Sequence, residues 1–455
     1  MFKTLKNALK VKEIREKLLF TFLMMIVIRI GSQLPIPGID AGYLAQFSAS
    51  LKANDAYSFF GAFTGGSLEQ MSVFALSITP YITSSIIMQL LTIAIPKLEE
   101  LQKEGETGKK KIAEITRYVT VGLALVEGIA MSIGFGNMGV FGDSAIMGKA
   151  GMVEYIFTIA RIVVTMTAGS AVLMWIGERI TDKGVGNGIS IILMINIVSR
   201  IPSDLVALYQ TKVAAASSIG MSILAAAIII VVLIAMIAFV VVLQAAYRKI
   251  PVQYAKKVQG RQMVGGNSSH IPLKVNTAGV IPVIFASSLM QFPVIISQVF
   301  GSHPGDGTVW GTILKVLSSN YWFVIDADRP IEFAYTGGFL IYAALLVAFA
   351  YFYTSLTFNP MEVANNMKKS GGFIPGIRPG KPTEEYLTKI LNYIVFIGAI
   401  ALLIVAGLPI FFSGAFQASV SFLGTSLIIV VGVVIETLNK LGSMMVVRNY
   451  KGFLD

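Results

Sequence analysis

The stretch Ile219–Leu243, IGMSILAAAIIIVVLIAMIAFVVVL, places this chain in a membrane. It runs for 25 residues without a charged or amide side chain, and about 20 apolar residues suffice for a helix to cross the hydrocarbon core. Its apolar residues occupy every face, so a helix built from it meets lipid broadly. Working outward, nine more apolar runs appear: Leu18–Gln33, Ser72–Ile95, Ile115–Phe135, Val153–Ile176, Ile189–Ile201, Thr277–Phe300, Gly337–Phe358, Ile390–Phe411 and Phe416–Glu436. Hydrophobic residues make up 55% of the 455 and charged residues 13%, against about 25% charged in soluble domains. The expected fold class is an all-α polytopic membrane protein with ten transmembrane helices.

An even number of spans puts both termini on one side, and 28 of the 36 Lys and Arg residues fall on that side. They sit in the N-terminus, the loops 97–117, 177–187, 247–275 and 359–389, and the C-terminus. Excess Lys and Arg marks the cytoplasmic face, so the expected topology has both termini inside. The net charge of +11 has two readings. One is this topology signal; the other is a docking face for RNA or an acidic protein surface. The spans divide into an N-terminal half, 1–201, and a C-terminal half, 202–455. Five spans in each half give the halves opposite topology, as in inverted repeats related by an axis in the membrane plane. An interface between such halves is a natural place for a pathway across the membrane.

The connection Pro35–Met71 contains SFFGAFTGGSLEQM, which is apolar but broken by Gly65 and Gly66. It is too short to span, yet it can re-enter if protein covers its backbone. Glu127 lies inside the third span, where an acid is costly and marks function. In the last large loop, Asn359, Pro360 and Glu362 read as the cap, first position and early-turn acid of a short helix that Gly371 and Gly372 end. Prolines and glycines at 375, 376, 379 and 380 then stiffen the chain around Arg378. An arginine presented so rigidly suits a carboxylate, a phosphate or a backbone carbonyl. Arg248, Lys249, Lys256, Lys257 and Arg261 form a second basic tip, with a solvated positive-inside flank as the plainer reading. The GVGNG string at 184–188 reads as a tight turn before the fifth span. There is no cysteine, and the two histidines, His270 and His303, fall on opposite sides. No H-E-x-x-H, phosphate-binding glycine loop or nucleophile–base pair is present, so no catalytic site, metal or cofactor is expected. A secondary transporter of small solutes would also fit inverted, glycine-broken halves, but the candidate pathway is mainly aliphatic. An intramembrane enzyme lacks paired catalytic groups.

Several strings resemble the SecY family of protein-conducting channels, in order and over nearly the whole chain. They are GGSLEQMSVFALSITPYITSSIIMQLL (Gly65–Leu91), KEGETGKKKIAEITRY (Lys103–Tyr118), GERITDKGVGNGISI (Gly177–Ile191), YAKKVQGRQ (Tyr254–Gln262), LKVNTAGVIPVIFASS (Leu273–Ser288), FNPMEVANNMKKSGGFIPGIRPGKPT (Phe358–Thr383) and FLGTSLIIVV (Phe422–Val431). The resemblance implies a pore narrowed by an aliphatic ring at Ile78, Ile82, Leu193, Ile284 and Ile429, with leucine at 193 where isoleucine is commoner. Such a ring excludes water and ions by dewetting. Ile78 and Ile82 are four apart and share a helix face. The resemblance also implies a re-entrant plug over about 60–71, including Phe60, Phe63, Gly65 and Gly66. It implies a lateral gate where Glu127 meets Gln89, Asn276 and Gln291, and it assigns Arg378 as the family's essential loop arginine. The implied function is passage of unfolded secretory polypeptides and sideways release of apolar segments into lipid, by a subunit that is not an enzyme. The implied partners are SecE-like and SecG-like small membrane subunits, a SecA-like ATPase motor, a ribosome contacted through its rRNA at the basic loops, and secretory preproteins with their signal sequences. The implied location is the bacterial cytoplasmic membrane.

Overall fold

The computed structural model describes residues 9–37, 39, 64–137, 151–214, 219–254, 257–259, 262–264, 268–299, 308–319, 322–323, 335–416 and 424–451. In chain order the helices are α1 (Lys12–Gly31), α2 (Thr79–Ala94), α3 (Pro96–Lys103), α4 (Glu106–Asn137), α5 (Met152–Lys183), α6 (Gly188–Leu208), α7 (Ile219–Ala245), α8 (Ile281–Val299), α9 (Val309–Leu317), α10 (Gly337–Thr357), α11 (Pro360–Lys369), α12 (Lys381–Phe416) and α13 (Thr425–Lys451). Each of the ten expected spans coincides with one of these. Among the described residues seven helices are long and apolar enough to cross a membrane, and eight if α2 and α3, bent by 100° at their junction, count as one. Pro96 opens α3 and explains the bend: Ile95 before it is extended, as the residue preceding a proline must be.

The boundaries differ from expectation in three places. The second span does not begin as helix at Ser72, which forms an isolated bridge with Pro35; turns occupy 65–71 and 73–78, and helix starts at Thr79. The fifth span extends past the expected end at Ile201. α6 runs through Pro202 to Leu208 and continues as a π-turn over Tyr209–Ala214. The last span starts as helix at Thr425 rather than Phe416, which instead ends α12.

Backbone contacts divide the chain into two compact units. One comprises 1–208, 292–320 and 433–455; the other comprises 209–291 and 321–432. The first is packed through small residues. α4 turns Thr116, Thr120, Ala124, Gly128 and Ser132 inward, one every four positions. This stripe lets helices approach without a hydrophobic driving force, which lipid does not supply. Ser84 of α2 and Thr120 share a hydrogen bond of 2.5 Å, and a Cβ on Gly128 would lie 3.7 Å from Val163 of α5. The expected GVGNG turn forms as well. Gly186 takes φ +90, and Asn187 Oδ1 accepts from the Ile189 N–H at 3.0 Å. The turn is held from both chain ends: the Val185 N–H donates to Thr21 Oγ1 of α1 at 3.1 Å, and Lys440 of α13 donates to the Gly186 carbonyl at 3.1 Å.

In the second unit, α10 buries Gly338, Tyr342, Leu346, Ala350 and Thr354 along one stripe and packs on α12. Its 36 residues make α12 about 54 Å long, well beyond the roughly 30 Å hydrocarbon core. The surplus turns at its start carry an extramembrane module.

That module is not helical alone. β1 (Tyr247–Tyr254) pairs antiparallel with β4 (Ser268–Lys274) and, on its other edge, with β5 (Gly372–Phe373); β2 (Lys257–Gln259) and β3 (Gln262–Val264) form a separate hairpin. The expectation of an all-α chain therefore holds for the spans but not for these loops. The period-two signal was present: within YRKIPVQY only Ile250 and Val252 are buried, the alternation of a half-covered strand.

A close approach between α5 and the turns before α2 supplies a test of this packing. An ideal Cβ on Gly169 would lie 1.9 Å from the Val73 carbonyl oxygen. Gly169→Val is expected to cost about 1–3 kcal/mol or more through forced backbone shifts, read as a lower melting temperature of the detergent-solubilised chain. Gly122→Ala, which meets nothing within 4 Å, serves as the control.

Candidate functional site: the re-entrant segment and the basic platform

The re-entrant segment belongs to the first unit. Phe60 and Phe63 lie outside the described residues; the description begins at Thr64. Gly65 and Gly66 take φ +64 and +85, which a glycine adopts without strain. A side chain at Gly65 would also strike Asn196 of α6, whose Cα and carbonyl oxygen lie 2.8 and 2.9 Å from the ideal Cβ. Leu68 and Met71 are fully buried and pack with Ile36, Ala75, Leu76, Ala124, Phe135, Ile162 and Met166. On the return, the Ile36 N–H donates to the Met71 carbonyl and the Val73 N–H to the Leu34 carbonyl, each at 2.9 Å.

Ile78 caps α2 and is fully buried. The Ile82 N–H donates to its carbonyl at 3.1 Å, so the two isoleucines lie one turn apart as expected. Ser77, just before, is held at φ +53, a conformation that non-glycine residues rarely take. Its hydroxyl accepts from Asn196 Nδ2 at 3.1 Å, and its carbonyl accepts from the Ser170 hydroxyl of α5 at 3.1 Å. Leu193 precedes Asn196 by three residues and therefore shares its helix face; it is buried. Ile78, Ile82 and Leu193 thus fall in one unit. Ile284, partly buried on α8, and Ile429, buried on α13, fall in the other.

The proposed gate residues divide in the same way. Gln89 and Glu127 are half-buried on α2 and α4, which pack together. Asn276 and Gln291 belong to the second unit. Asn276 is buried and its Nδ2 has no hydrogen-bond partner among the described residues. The side chain of Gln291 lies outside the described residues.

The basic platform is where structure adds most. The loops 247–275 and 359–389 fold into one body. Ile250, Val252 and Leu273 of the sheet share a core with Met367 of α11, Ile374, and Leu387 and Ile394 of α12. Asn359 caps α11 as expected, its Oδ1 accepting from the N–H groups of Met361 and Glu362 at 3.1 and 3.3 Å, and Gly371 leaves the helix at φ +72. From the buried Ile374 the chain turns tightly. The Ile377 N–H donates to the Ile374 carbonyl at 3.0 Å, and the Thr383 hydroxyl donates to the Arg378 carbonyl at 2.9 Å. Gly376 and Gly380 take φ +81 and +106. Arg378 is exposed on this turn, with its backbone tied on both sides. Arg248 and Lys249 are exposed on β1, and the Lys249 ammonium sits 5.5 Å from the Tyr247 ring centre. Lys256 and Arg261 lie outside the described residues; Lys257 is described by its backbone in β2. No group of three His, Asp or Glu residues is placed to hold a metal among the described residues.

With this geometry in hand, comparison with known proteins decides the family. The family model for SecY matches residues 72–438. The chain belongs to the SecY family. It is 42% identical over 459 residues to the protein translocase subunit SecY of Halalkalibacterium halodurans and 43% identical over 458 residues to that of Bacillus subtilis, covering 100% of both chains in each case. Among solved structures, a SecY studied for how its plug domain stabilises the closed channel is similar with a TM-score of 0.63 at 18% identity, over 94% of this chain and 92% of that one. Sec61 in a canine ribosome–channel complex matches with a TM-score of 0.60 at 17% identity, over 94% and 92%. These structures bear on the fold. The small-solute transporter reading receives no support from any of these matches.

The SecY-family platform yields a test. Leu387 is fully buried in its core, so Leu387→Ala is expected to cost the module about 2–5 kcal/mol. The check is limited proteolysis, with faster cleavage at 375–380 and no change within the spans.

Proposed function

We propose that this SecY-family chain is the central, pore-forming subunit of a bacterial protein translocase. It passes unfolded secretory polypeptides across the cytoplasmic membrane and releases apolar segments sideways into lipid. The observation that carries the reading is full-length identity above 40% to bacterial subunits of that name, joined to an irregular segment at 64–78 whose Leu68 and Met71 are fully buried. Both termini face the cytoplasm in this reading, and the halves 1–201 and 202–455 are inverted repeats. Ile78, Ile82, Leu193, Ile284 and Ile429 act as the constriction. Aliphatic side chains make no directional bonds, so they close around many passing residues without holding any, while dewetting blocks ions. The segment over about 60–71, with Phe60, Phe63, Gly65 and Gly66, serves as the plug, and Glu127 with Gln89, Asn276 and Gln291 as the gate.

The chain does no chemistry of its own in this scheme, so work is supplied from the cytoplasm. The basic platform is the docking face: relatives of its fold have been solved on ribosomes, including the canine Sec61 complex and an idle yeast Ssh1 complex on the 80S ribosome. A SecA-like motor and a ribosome dock there through Arg378, Arg248, Lys249, Lys256, Lys257 and Arg261, and SecE-like and SecG-like subunits flank the spans.

A cysteine placed at Ile284 is expected to crosslink to a cysteine in a stalled passenger; the native chain has no cysteine to compete. Absence of that product from an otherwise active channel would remove Ile284 from the path. Arg378→Glu is expected to lower motor-driven translocation into vesicles by about 30-fold or more, the equivalent of one buried charge contact of roughly 2 kcal/mol, while the platform stays folded. Glu127→Leu is expected to shift the gate equilibrium, changing the ratio of weak-signal to strong-signal export. An unchanged ratio would take Glu127 out of the gate.

A further inference from the structure

The re-entrant segment carries one acid among residues 64–72, Glu69. Its Oε1 lies 2.7 Å from Nη1 of Arg200 on α6. Both side chains are largely shielded, with 20% and 16% of their surface exposed, so the pair feels less solvent screening than a surface pair. One turn further along α6, Asp204 Oδ1 stands 3.9 Å from Arg200 Nε, itself only 15% exposed. Arg200 thus has two acids within reach, one on the plug and one on its own helix. A second arginine, Arg29 of α1, donates from Nη1 to the Gly65 carbonyl at 3.3 Å.

We propose that Arg200 is a positioning residue that sets how readily the channel opens, by exchanging Glu69 for Asp204 as the plug leaves. Breaking a shielded ion pair usually strands one charge, and that stranded charge makes release costly. Here Asp204 stays within reach of Arg200 whatever the plug does, because both are carried on α6 one turn apart. Closing requires only that Glu69 outcompete an acid already in place. The two acids therefore act in opposite senses. Glu69 favours the seated plug, and Asp204 favours the displaced one. Arg29 holds the start of the segment by a single bond to the Gly65 backbone, so stringency falls on the side-chain pair. A purely structural ion cluster has no such antisymmetry: removing either acid from it would weaken the same packing.

This inference rests on the reading of the segment over about 60–71 as a plug, and the experiment separates the two. The full-length chain is made the sole copy in a bacterial host, and export is measured for a reporter with an intact signal and one with a crippled signal. Glu69→Gln is expected to raise crippled-signal export about fivefold, and Asp204→Asn to lower it by a similar factor, the size of one partly shielded ion pair. Both variants moving in the same direction, or neither moving, would overturn the proposal. In a second arm, Glu69→Cys with Arg200→Cys joined by a short bis-maleimide is expected to stop intact-signal export, and export at the unlinked rate would also overturn it. That arm decides the matter if the charge variants are poorly inserted. Failure of the unmodified chain to export the intact-signal reporter would count against the channel reading instead.

Discussion

An irregular backbone can sit at the depth of a membrane only if every polar group it carries is paired. The segment from Thr64 to Thr79 draws its partners from several helices of the first unit. Local turns satisfy much of it: Ser72 donates to Ser67, Ala75 to Ser72 and Ser77 to Phe74, each at 2.8 to 2.9 Å. The bridge to Leu34 and Ile36 takes the return leg, Arg29 takes the Gly65 carbonyl, and Ser170 takes the carbonyl of Ser77. Partners on α1, α5 and α6 are spent on this one stretch. The strained φ of Ser77 persists because two helices bond to that residue at once, which is how local strain is normally sustained at working sites.

The same logic explains the contrast between the two faces. Outside the lipid, water satisfies backbone, so the loops 247–275 and 359–389 are free to be shaped by burial and charge. There the chain builds a small sheet-and-helix body whose apolar core is Ile250, Val252, Leu273 and Leu387. Its function is rigidity. A charged side chain on a floppy loop loses conformational entropy whenever it docks, whereas Arg378 stands on a turn whose neighbours are already fixed.

The spans were legible in the sequence because each is a long apolar run, and lipid tolerates little else. Turn chemistry was legible too: Asn359 and Gly371 act as their types predict, since capping depends on local geometry alone. The start of α2 was misread at Ser72, because SVFAL is as apolar as a helix interior, while local turn bonds and tertiary bonds to 34–36 hold it out of the helix. The β1–β4–β5 sheet was missed because its third strand comes from a loop about a hundred residues away and contributes only Gly372 and Phe373. Glu69 and Arg200 carried no signal as a pair either. They are charged residues in loops or span ends by any sequence criterion, and only the fold sets them 2.7 Å apart.

That juxtaposition bears on how a channel can be tight at rest and still open on demand. A plug held solely by apolar contacts, such as those of Leu68 and Met71, would be expensive to extract, because each buried side chain must be re-exposed at roughly 1.5–3 kcal/mol. One held solely by charges would respond to salt and solvent rather than to a passenger. Here the two kinds of grip are interleaved: Glu69 lies between the buried Leu68 and Met71, so the ion pair and the apolar contacts hold the same turn of chain. A plug gripped in this way leaves as a unit, and the charge on Arg200 sets how much its departure costs beyond the apolar contacts.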